Sequence, residues 1–305
     1  MRRGVSRDGN APGDAISAAV VLDEQLHERV EAAGAEPMSG WVGRLALGAL
    51  TIGAATWIAP TRGDPGDASA VTLPPESAAQ AGYAYYPYDG SVRFIRIQTS
   101  SGGRGRFGGF RGGWAHDYPA SDLNLSTILR ELSYIRTREL PMGGNVLTFD
   151  DPRLMQFPIA YVSEPGGWRV SEAAAAGLRE YLLKGGFVMF DDFFAYEMDN
   201  VFAQMGYIFP ELQWVRLDGT EEVWESFYSL DALEIYLEGP RKYGTPEFWG
   251  LFEENDKEKR MMAIANAGAD VGDLWEWAAE GWYPVDPTNG AFRLGMNYFI
   301  YALTH

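Results

Sequence analysis

Asp191 and Asp192 are the residues whose type and position point most directly to chemistry. They follow "FVMF", residues 187–190, four apolar residues that predict a strand buried on both faces, as in a parallel sheet. In open α/β sheets, ligands bind at the carboxyl ends of the strands. Two adjacent carboxylates at that position could bind a hard cation or share a proton in acid–base work. They could equally shape a turn, with one carboxylate accepting backbone N–H bonds and the other solvated.

Two other segments supply side chains that could join these acids. Ser163 and Glu164 follow the preceding predicted strand and therefore fall on the same edge of the sheet. The loop "GGWAHDYP" supplies Trp114, His116 and Asp117 ahead of the first predicted helix. An aromatic ring, an imidazole and a carboxylate together suit a sugar or peptide pocket. The alternative is a loop that Trp114 anchors in the core, with His116 exposed. The candidate binding residues are Asp191, Asp192, Ser163, Glu164, Trp114, His116 and Asp117; we predict no metal site and no cofactor.

The composition excludes several classes of site. The chain has no cysteine, so disulfides, thiolate metal sites and cysteine nucleophiles are excluded. Its three histidines, His27, His116 and His305, leave little material for a multi-histidine zinc site or a Ser-His-Asp triad. The net charge of −17 repels phosphate backbones and argues against nucleic-acid binding. For this reason the glycine- and arginine-rich segment 101–113 is interpreted as a surface loop rather than an RNA-binding segment.

The elements around these residues alternate between strands and helices. The clearest helix is "SEAAAAGLREYLLKGG", with Ser171 as its N-cap and Gly185-Gly186 at its end. Ser121 or Asp122 is expected to cap an earlier helix. The alternation predicts a three-layer α/β domain with a mainly parallel sheet. The predicted strands are 92–98, 145–149, 158–162, 187–190, 213–217 and 261–268; helices are predicted at 199–206 and 289–305, and a solvated helical excursion at 247–260.

The N-terminal region reads as an export signal. Residues 45–59, "LALGALTIGAATWIA", form an uncharged apolar run that is short for a membrane span but suits the core of a secretory signal. Ala68-Ser69-Ala70 then has the small-x-small pattern of a signal-peptidase site. An uncleaved membrane anchor is the alternative. The predicted organisation is an over-extended or disordered start at 1–37, a signal peptide or anchor at 38–70, a linker at 71–90 and the α/β domain at 91–305.

Several stretches resemble one bacterial family. They are "VRFIRIQ", "WAHDYPASDLNL", "FPIAYVSEPGGWRVSEAAAAGLREYLLKGGFVMFDDF" and the ending "FRLGMNYFIYALTH". In order and spacing they are similar to the domain-of-unknown-function 4159 family. The resemblance implies a class I glutamine amidotransferase-like (flavodoxin-like) fold and, since many members are exported or membrane-attached, a location at the cell envelope. It implies no activity.

The same resemblance argues against a glutaminase. In amidotransferase-like domains a "PGG" loop supplies oxyanion-hole amides, and the next strand ends in an elbow that carries the cysteine. Here Pro165-Gly166-Gly167 occupies the loop position, and Asp191-Asp192 occupies the elbow position. A carboxylate cannot form the thioester, so no glutaminase activity is expected.

Two functions remain open from the sequence. The first is a non-catalytic envelope module, exported to the periplasm or anchored facing it, that binds a protein partner or an envelope glycan. The second is a carboxylate-dependent hydrolase of envelope glycan or peptide, in which Asp191 or Asp192 works with an acid from another loop, such as Glu164 or Asp117. Contact with the membrane is expected only through the N-terminal segment, and no nucleic-acid partner is expected. The observation that separates the two is whether these acids and His116 meet in one site.

Overall fold

The computed structural model describes residues 85–100, 113–137, 143–231 and 246–305. Within them, seven strands form one sheet in the order β2-β1-β3-β4-β7-β6-β5. The strands are β1 (Ile95–Ile97), β2 (Asn145–Leu147), β3 (Ile159–Ser163), β4 (Phe187–Phe193), β5 (Trp214–Arg216), β6 (Glu247–Phe252) and β7 (Met261–Ala267).

Five neighbouring strands of the sheet are parallel. β1 pairs in parallel with both β2 and β3, β3 pairs with β4, and β4 pairs with β7. β6 and β5 complete the sheet as antiparallel strands. The order 2-1-3-4 along the parallel part is that of flavodoxin-like doubly wound sheets. The predicted mainly parallel sheet is therefore confirmed.

Helices cover both faces of this sheet. On one face, α1 (Ala120–Leu132), α4 (Val271–Glu276) and α5 (Val285–Thr304) pack over a single apolar cluster. On the other face, α2 (Glu172–Leu183) and α3 (Met198–Ile208) pack over a second cluster. Strand β4 contributes to both, because Phe187 and Met189 lie in the first cluster while Val188 and Phe190 lie in the second. The predicted three-layer arrangement is confirmed.

The predicted helical excursion at 247–260 is wrong. Residues Glu247–Phe252 form β6, which pairs with β7 over most of its length. The charges that suggested a solvated helix are concentrated after this strand. Within it, Phe248 packs in the cluster on one face of the sheet and Leu251 in the cluster on the other. The apolar first part of 247–260 therefore has side chains on both faces of the sheet, as the period-2 pattern of a strand requires.

Two helix ends test the capping predictions. Ser171 caps α2 as predicted, because its hydroxyl accepts a hydrogen bond from the backbone N–H of Ala174 at 3.2 Å. Gly185 follows α2 with a φ of 102°, a conformation that glycine adopts without steric cost. By contrast, α1 begins after Pro119 without a side-chain cap. The caps expected from Ser121 and Asp122 are absent because both side chains bind a buried arginine instead.

The expected export signal lies outside the described residues. Among the residues that are described, no helix combines the length and the apolar character that crossing a bilayer requires.

Candidate functional site

A β-bulge near the end of β4 sets the positions of the two acids. The register between β4 and β7 shifts between Phe190 and Phe193, and both phenylalanines pack in the same apolar cluster. Strict alternation would leave one residue between two side chains on the same face, but here there are two. Asp192 is one of these two residues, and its φ of 59° lies in the left-handed region, which aspartate tolerates better than most residues do.

Asp191 is a fully satisfied structural carboxylate. Its Oδ1 accepts a hydrogen bond from Asn266 Nδ2 at 3.0 Å. Its Oδ2 accepts three more, from the Tyr161 hydroxyl at 3.0 Å and from the backbone N–H groups of Val271 and Gly272 at 3.0 and 2.9 Å. Burial raises the pKa of Asp191 to about 7, although the hydrogen bond from Asn266 lowers it. Asp191 therefore holds the first turn of α4 against the end of β4.

Asp192 has a different set of neighbours. Its Oδ2 lies 2.8 Å from His116 Nδ1 and 3.3 Å from the Ser163 hydroxyl, which donates to it. Its Oδ1 is buried and accepts no hydrogen bond from the described residues. Half of this carboxylate is thus available to a further partner.

His116 joins Asp192 to the loop that follows β1. The same Nδ1 lies 3.0 Å from Asp117 Oδ1, and the His116 side chain is 28% exposed while both acids are buried. Burial lowers the pKa of His116, but its hydrogen bonds to Asp117 and Asp192 outweigh that effect and raise it to about 11. Burial raises the pKa of Asp117 well above its usual range.

A third loop, after β7, brings further acids. Asp270 accepts a hydrogen bond from the backbone N–H of Asp273 at 2.9 Å and so caps α4. Asp273 in turn accepts one from the Tyr283 hydroxyl at 2.8 Å. Burial and repulsion from Asp192 raise the pKa of Asp270 well above its usual range. We call the set formed by Asp117, Asp192, Asp270, Asp273 and Glu276 around His116 the acidic cluster.

The acidic cluster has the donor atoms and spacing of a cation site. Asp117 Oδ2, Asp192 Oδ1 and Asp270 Oδ2 are buried and accept no hydrogen bond from the described part of the chain. Each residue of the cluster offers one ligand atom to at least one group whose atoms all lie within 4.8 Å of one another. The three groups are His116, Asp117 and Asp192; His116, Asp270 and Asp273; and Asp117, Asp273 and Glu276.

A buried arginine positions the histidine loop. Arg96, on β1, donates to Asp122 Oδ1 at 2.6 and 3.1 Å and to the Ser121 hydroxyl at 2.8 Å. It also donates to the backbone carbonyls of Trp114 and His116 at 3.2 and 2.8 Å. One side chain thus ties the loop to the start of α1, which fixes the backbone on which His116 and Asp117 stand.

The sequence model of a family described as "Domain of unknown function (DUF4159)" matches residues 93–303, which include the whole acidic cluster. The chain belongs to the DUF4159 family. No curated protein matches the chain.

The candidates predicted from the sequence separate into two sets in this DUF4159 domain. His116, Asp117 and Asp192 form one ligand group, the Ser163 hydroxyl donates to Asp192, and Asp191 stands beside them with donors of its own. Trp114 and Glu164 have other contacts. Trp114 is 6% exposed and its carbonyl binds Arg96, as expected for a loop anchor. The Glu164 side chain lies against Gly113, where a Cβ would collide with it.

The sequence reasoning missed the acids of the third loop. Asp270 lies three residues after the end of β7, and Asp273 and Glu276 lie in α4, which comes next, so the strand-end argument that selected Asp191 points to this segment as well. The signal was present in the sequence as "GADVGDLWEW". Arg96 was missed because an arginine within a short strand reads as a solvent-facing residue, whereas its side chain is wholly buried.

Proposed function

We propose that this DUF4159 chain is an exported cell-envelope hydrolase that acts on a glycan at the acidic cluster. One observation carries the proposal: carboxylates that follow β1, β4 and β7, Asp192 among them, converge on His116. Inert strand-end acids are solvated or satisfied by hydrogen-bond donors, as Asp191 is, and do not gather further buried acids. Convergent acids with perturbed pKa values are typical of functional sites.

The chemistry that suits this site is addition of water. A carboxylate takes one proton from a water molecule, and the water oxygen bonds to the anomeric carbon of a sugar. The bond between that carbon and the leaving oxygen breaks, and a second, protonated carboxyl group gives its proton to the leaving oxygen. The proton held by the first carboxyl group then returns to the second through solvent, which restores both groups. One water is consumed and two hydroxyl groups result. Carboxylate pairs are the usual agents of this reaction.

Aromatic residues next to the cluster support a glycan over a peptide. Glu276 is followed directly by Trp277, whose ring lies 5.6 Å from that of Trp282. Trp282 is 73% exposed. Exposed aromatic rings offer flat apolar faces to the C–H faces of sugars, and the ring of Trp277 connects Trp282 to the segment that carries Glu276.

The test is an assay of the full chain on purified cell-wall glycan. We expect new reducing ends, detected by mass spectrometry of the soluble fragments, and their loss in Asp192→Asn. Asp199→Asn, which changes an exposed acid on α3 in the same way, is the matched control. Glycan that binds without any product would replace the hydrolase by the non-catalytic binding module. Product from a cell-wall peptide alone would retain the hydrolase and replace its substrate.

Export belongs to the same proposal and has its own measurement. The support is the order of an apolar core at 45–59 and a small-x-small site ending at Ala70. We expect protein recovered from the envelope fraction to have an intact mass that begins near Val71. A full-length chain recovered from the cytosol would contradict export.

A further inference from the structure

We propose that the acidic cluster binds a divalent cation of the Mn²⁺ type, with His116, Asp117 and Asp192 as its inner ligands and Asp270 as an additional carboxylate. This inference names a cofactor for the site of the proposed hydrolase. A role of the cation in catalysis therefore rests on the proposed function. The binding itself can be measured without any substrate.

The distances between the inner ligand atoms suit a common ion. His116 Nδ1 lies 2.8 Å from Asp192 Oδ2 and 3.0 Å from Asp117 Oδ1. Adjacent ligands of an octahedral ion with bonds of about 2.0–2.3 Å are separated by about 3 Å. Opposite ligands are separated by about 4–4.6 Å on the same bond lengths. All atoms of each ligand group lie within 4.8 Å of one another, so little movement is needed to enclose an ion.

The acidic groups of the cluster outnumber the basic group among them. Five acids surround one histidine, and Asp117 and Asp192 are fully buried as side chains. Arg96, the buried cation nearest in sequence to this loop, already binds Asp122. Buried charges in proteins are paired with opposite charges or coordinate metals, because an unpaired buried charge is strongly destabilising.

The unpartnered oxygens give a second and independent indication. Asp117 Oδ2, Asp192 Oδ1 and Asp270 Oδ2 are buried, and none accepts a hydrogen bond from the described residues. The neighbouring Asp191 shows that this chain can satisfy a buried carboxylate with four donors at the same strand end. The open oxygens therefore mark the residues that are left for a ligand.

The donor types select the class of cation. Carboxylate oxygens suit Mg²⁺, Ca²⁺ and Mn²⁺, whereas imidazole nitrogen favours transition metals. A site with several carboxylates, one imidazole and no thiolate combines the two preferences, and Mn²⁺ satisfies both. Mn²⁺ is also a direct probe, because the free hexaaqua ion gives an electron paramagnetic resonance signal that diminishes on binding.

The experiment titrates Mn²⁺ into the full chain after treatment with a chelator and follows the free Mn²⁺ signal. We expect saturable binding and a higher melting temperature with Mn²⁺ than with the chelator. Asp192→Asn and Asp270→Asn should each weaken binding by at least about 100-fold, since even outer partners of a metal site change affinity about 10- to 100-fold. Asp270→Asn keeps a side-chain oxygen that can cap α4, and circular dichroism checks that both variants fold. Asp199→Asn should bind as the parent does.

Each outcome separates the cation site from the hydrolase. Absence of Mn²⁺ binding in the parent, or equal binding in both cluster variants, would overturn the cation site. Mn²⁺ binding that depends on Asp192 and Asp270 supports it even if no glycan is cleaved, in which case the hydrolase alone fails. Cleavage that proceeds equally in the presence of the chelator would support the proposed hydrolase and would contradict a role of the cation in its catalysis.

Discussion

Asp191 and Asp192 are adjacent in sequence and equally buried, yet their surroundings differ in kind. Asp191 faces four hydrogen-bond donors, whereas Asp192 faces one histidine, one hydroxyl and other acids. The bulge in β4 separates the two environments, because it directs consecutive side chains to different neighbours. The two acids should consequently respond to the same substitution in different ways.

Asp191→Asn is expected to destabilise the fold. Every atom that contacts the carboxylate is a donor, so either orientation of the amide places its N–H₂ against another donor. Leaving a buried polar group unsatisfied in this way costs about 1–3 kcal/mol. Urea denaturation measures the loss in the free energy of unfolding, with Asp199→Asn as the control that should change it by less than about 0.5 kcal/mol. An Asp191→Asn variant as stable as the parent would contradict the structural role.

Asp192→Asn is expected to be at least as stable as the parent when a chelator is present. The substitution removes one charge from a set of like charges, and His116 keeps its contact with Asp117. Asparagine also tolerates the positive φ at this position. Urea denaturation in chelator is again the measurement. A loss of more than about 1 kcal/mol, the worth of an ordinary hydrogen bond, would show that the Asp192 carboxylate stabilises the fold by itself.

At the scale of elements, the short helix α4 depends on close contact with the acids. A Cβ at Gly272 would collide with the Asp117 carboxylate and would lie 2.7 Å from the Tyr161 hydroxyl. The helix can therefore approach β3 and the histidine loop only because this residue lacks a side chain. This approach also brings the backbone N–H of Gly272 to Asp191.

Gly272→Ala is expected to destabilise the domain by about 1–3 kcal/mol, as overpacking of a filled site does. Gly206→Ala is the matched control, because Gly206 lies in α3 and a Cβ there would meet nothing within 4 Å. Alanine is the better helix former, so that variant should gain up to about 1 kcal/mol. Both changes are read from thermal or urea unfolding. Equal effects of the two substitutions would contradict the close contact.

The turn Glu222–Glu225 gives a prediction of pH dependence. Glu221 precedes it and accepts hydrogen bonds from Trp224 Nε1 and from backbone N–H groups, beside Lys257. Burial opposes ionisation, but the hydrogen bonds from Lys257 and Trp224 lower the pKa of Glu221. Because the pKa of Glu221 is lower in the folded chain than in the unfolded chain, ionised Glu221 stabilises the fold. This contribution to the free energy of unfolding is present above the unfolded-state pKa of about 4.3, and it is lost as the pH falls through the folded-state pKa.

Glu221→Gln should therefore lower the free energy of unfolding by about 1 kcal/mol at neutral pH. The difference from the parent should shrink as pH falls below about 4, where the parent itself carries a protonated Glu221. Urea denaturation at a series of pH values measures this difference. A difference that stays constant with pH would show that the charge of Glu221 is not involved.

The helices and strands that the sequence predicted were those with a regular apolar pattern and recognisable residues at their ends. The apolar run 187–190 and the Ser171 and Gly185 boundaries identified β4 and α2 because local chemistry dictates both. The strand β6 was missed because its apolar run is short and a charged turn follows it. The bulge and the burial of Arg96 depend on partners distant in sequence, and no local pattern encodes them. The three acids of the cluster that were missed, Asp270, Asp273 and Glu276, differ in this respect, because they come after the buried strand β7 and the strand-end signal applied to them.

The whole molecule has a net charge of −17, so the burial of acids in the acidic cluster contrasts with the rest of the chain. Most acids of such a chain are solvated, and their mutual repulsion is weakened by water and salt. The four aspartates of the acidic cluster are buried at the carboxyl edge of the parallel strands, where doubly wound domains bind ligands. A cation at that edge would link the loops after β1, β4 and β7 into one unit.

The most direct test is anomalous diffraction from crystals of the full chain grown with Mn²⁺. The account predicts a strong anomalous peak within about 2.0–2.6 Å of His116 Nδ1 and of carboxylate oxygens of Asp117 and Asp192. Asp191 should retain its four hydrogen bonds beside it. A map in which His116 remains bonded directly to both acids, with no anomalous peak in the acidic cluster, would contradict the account.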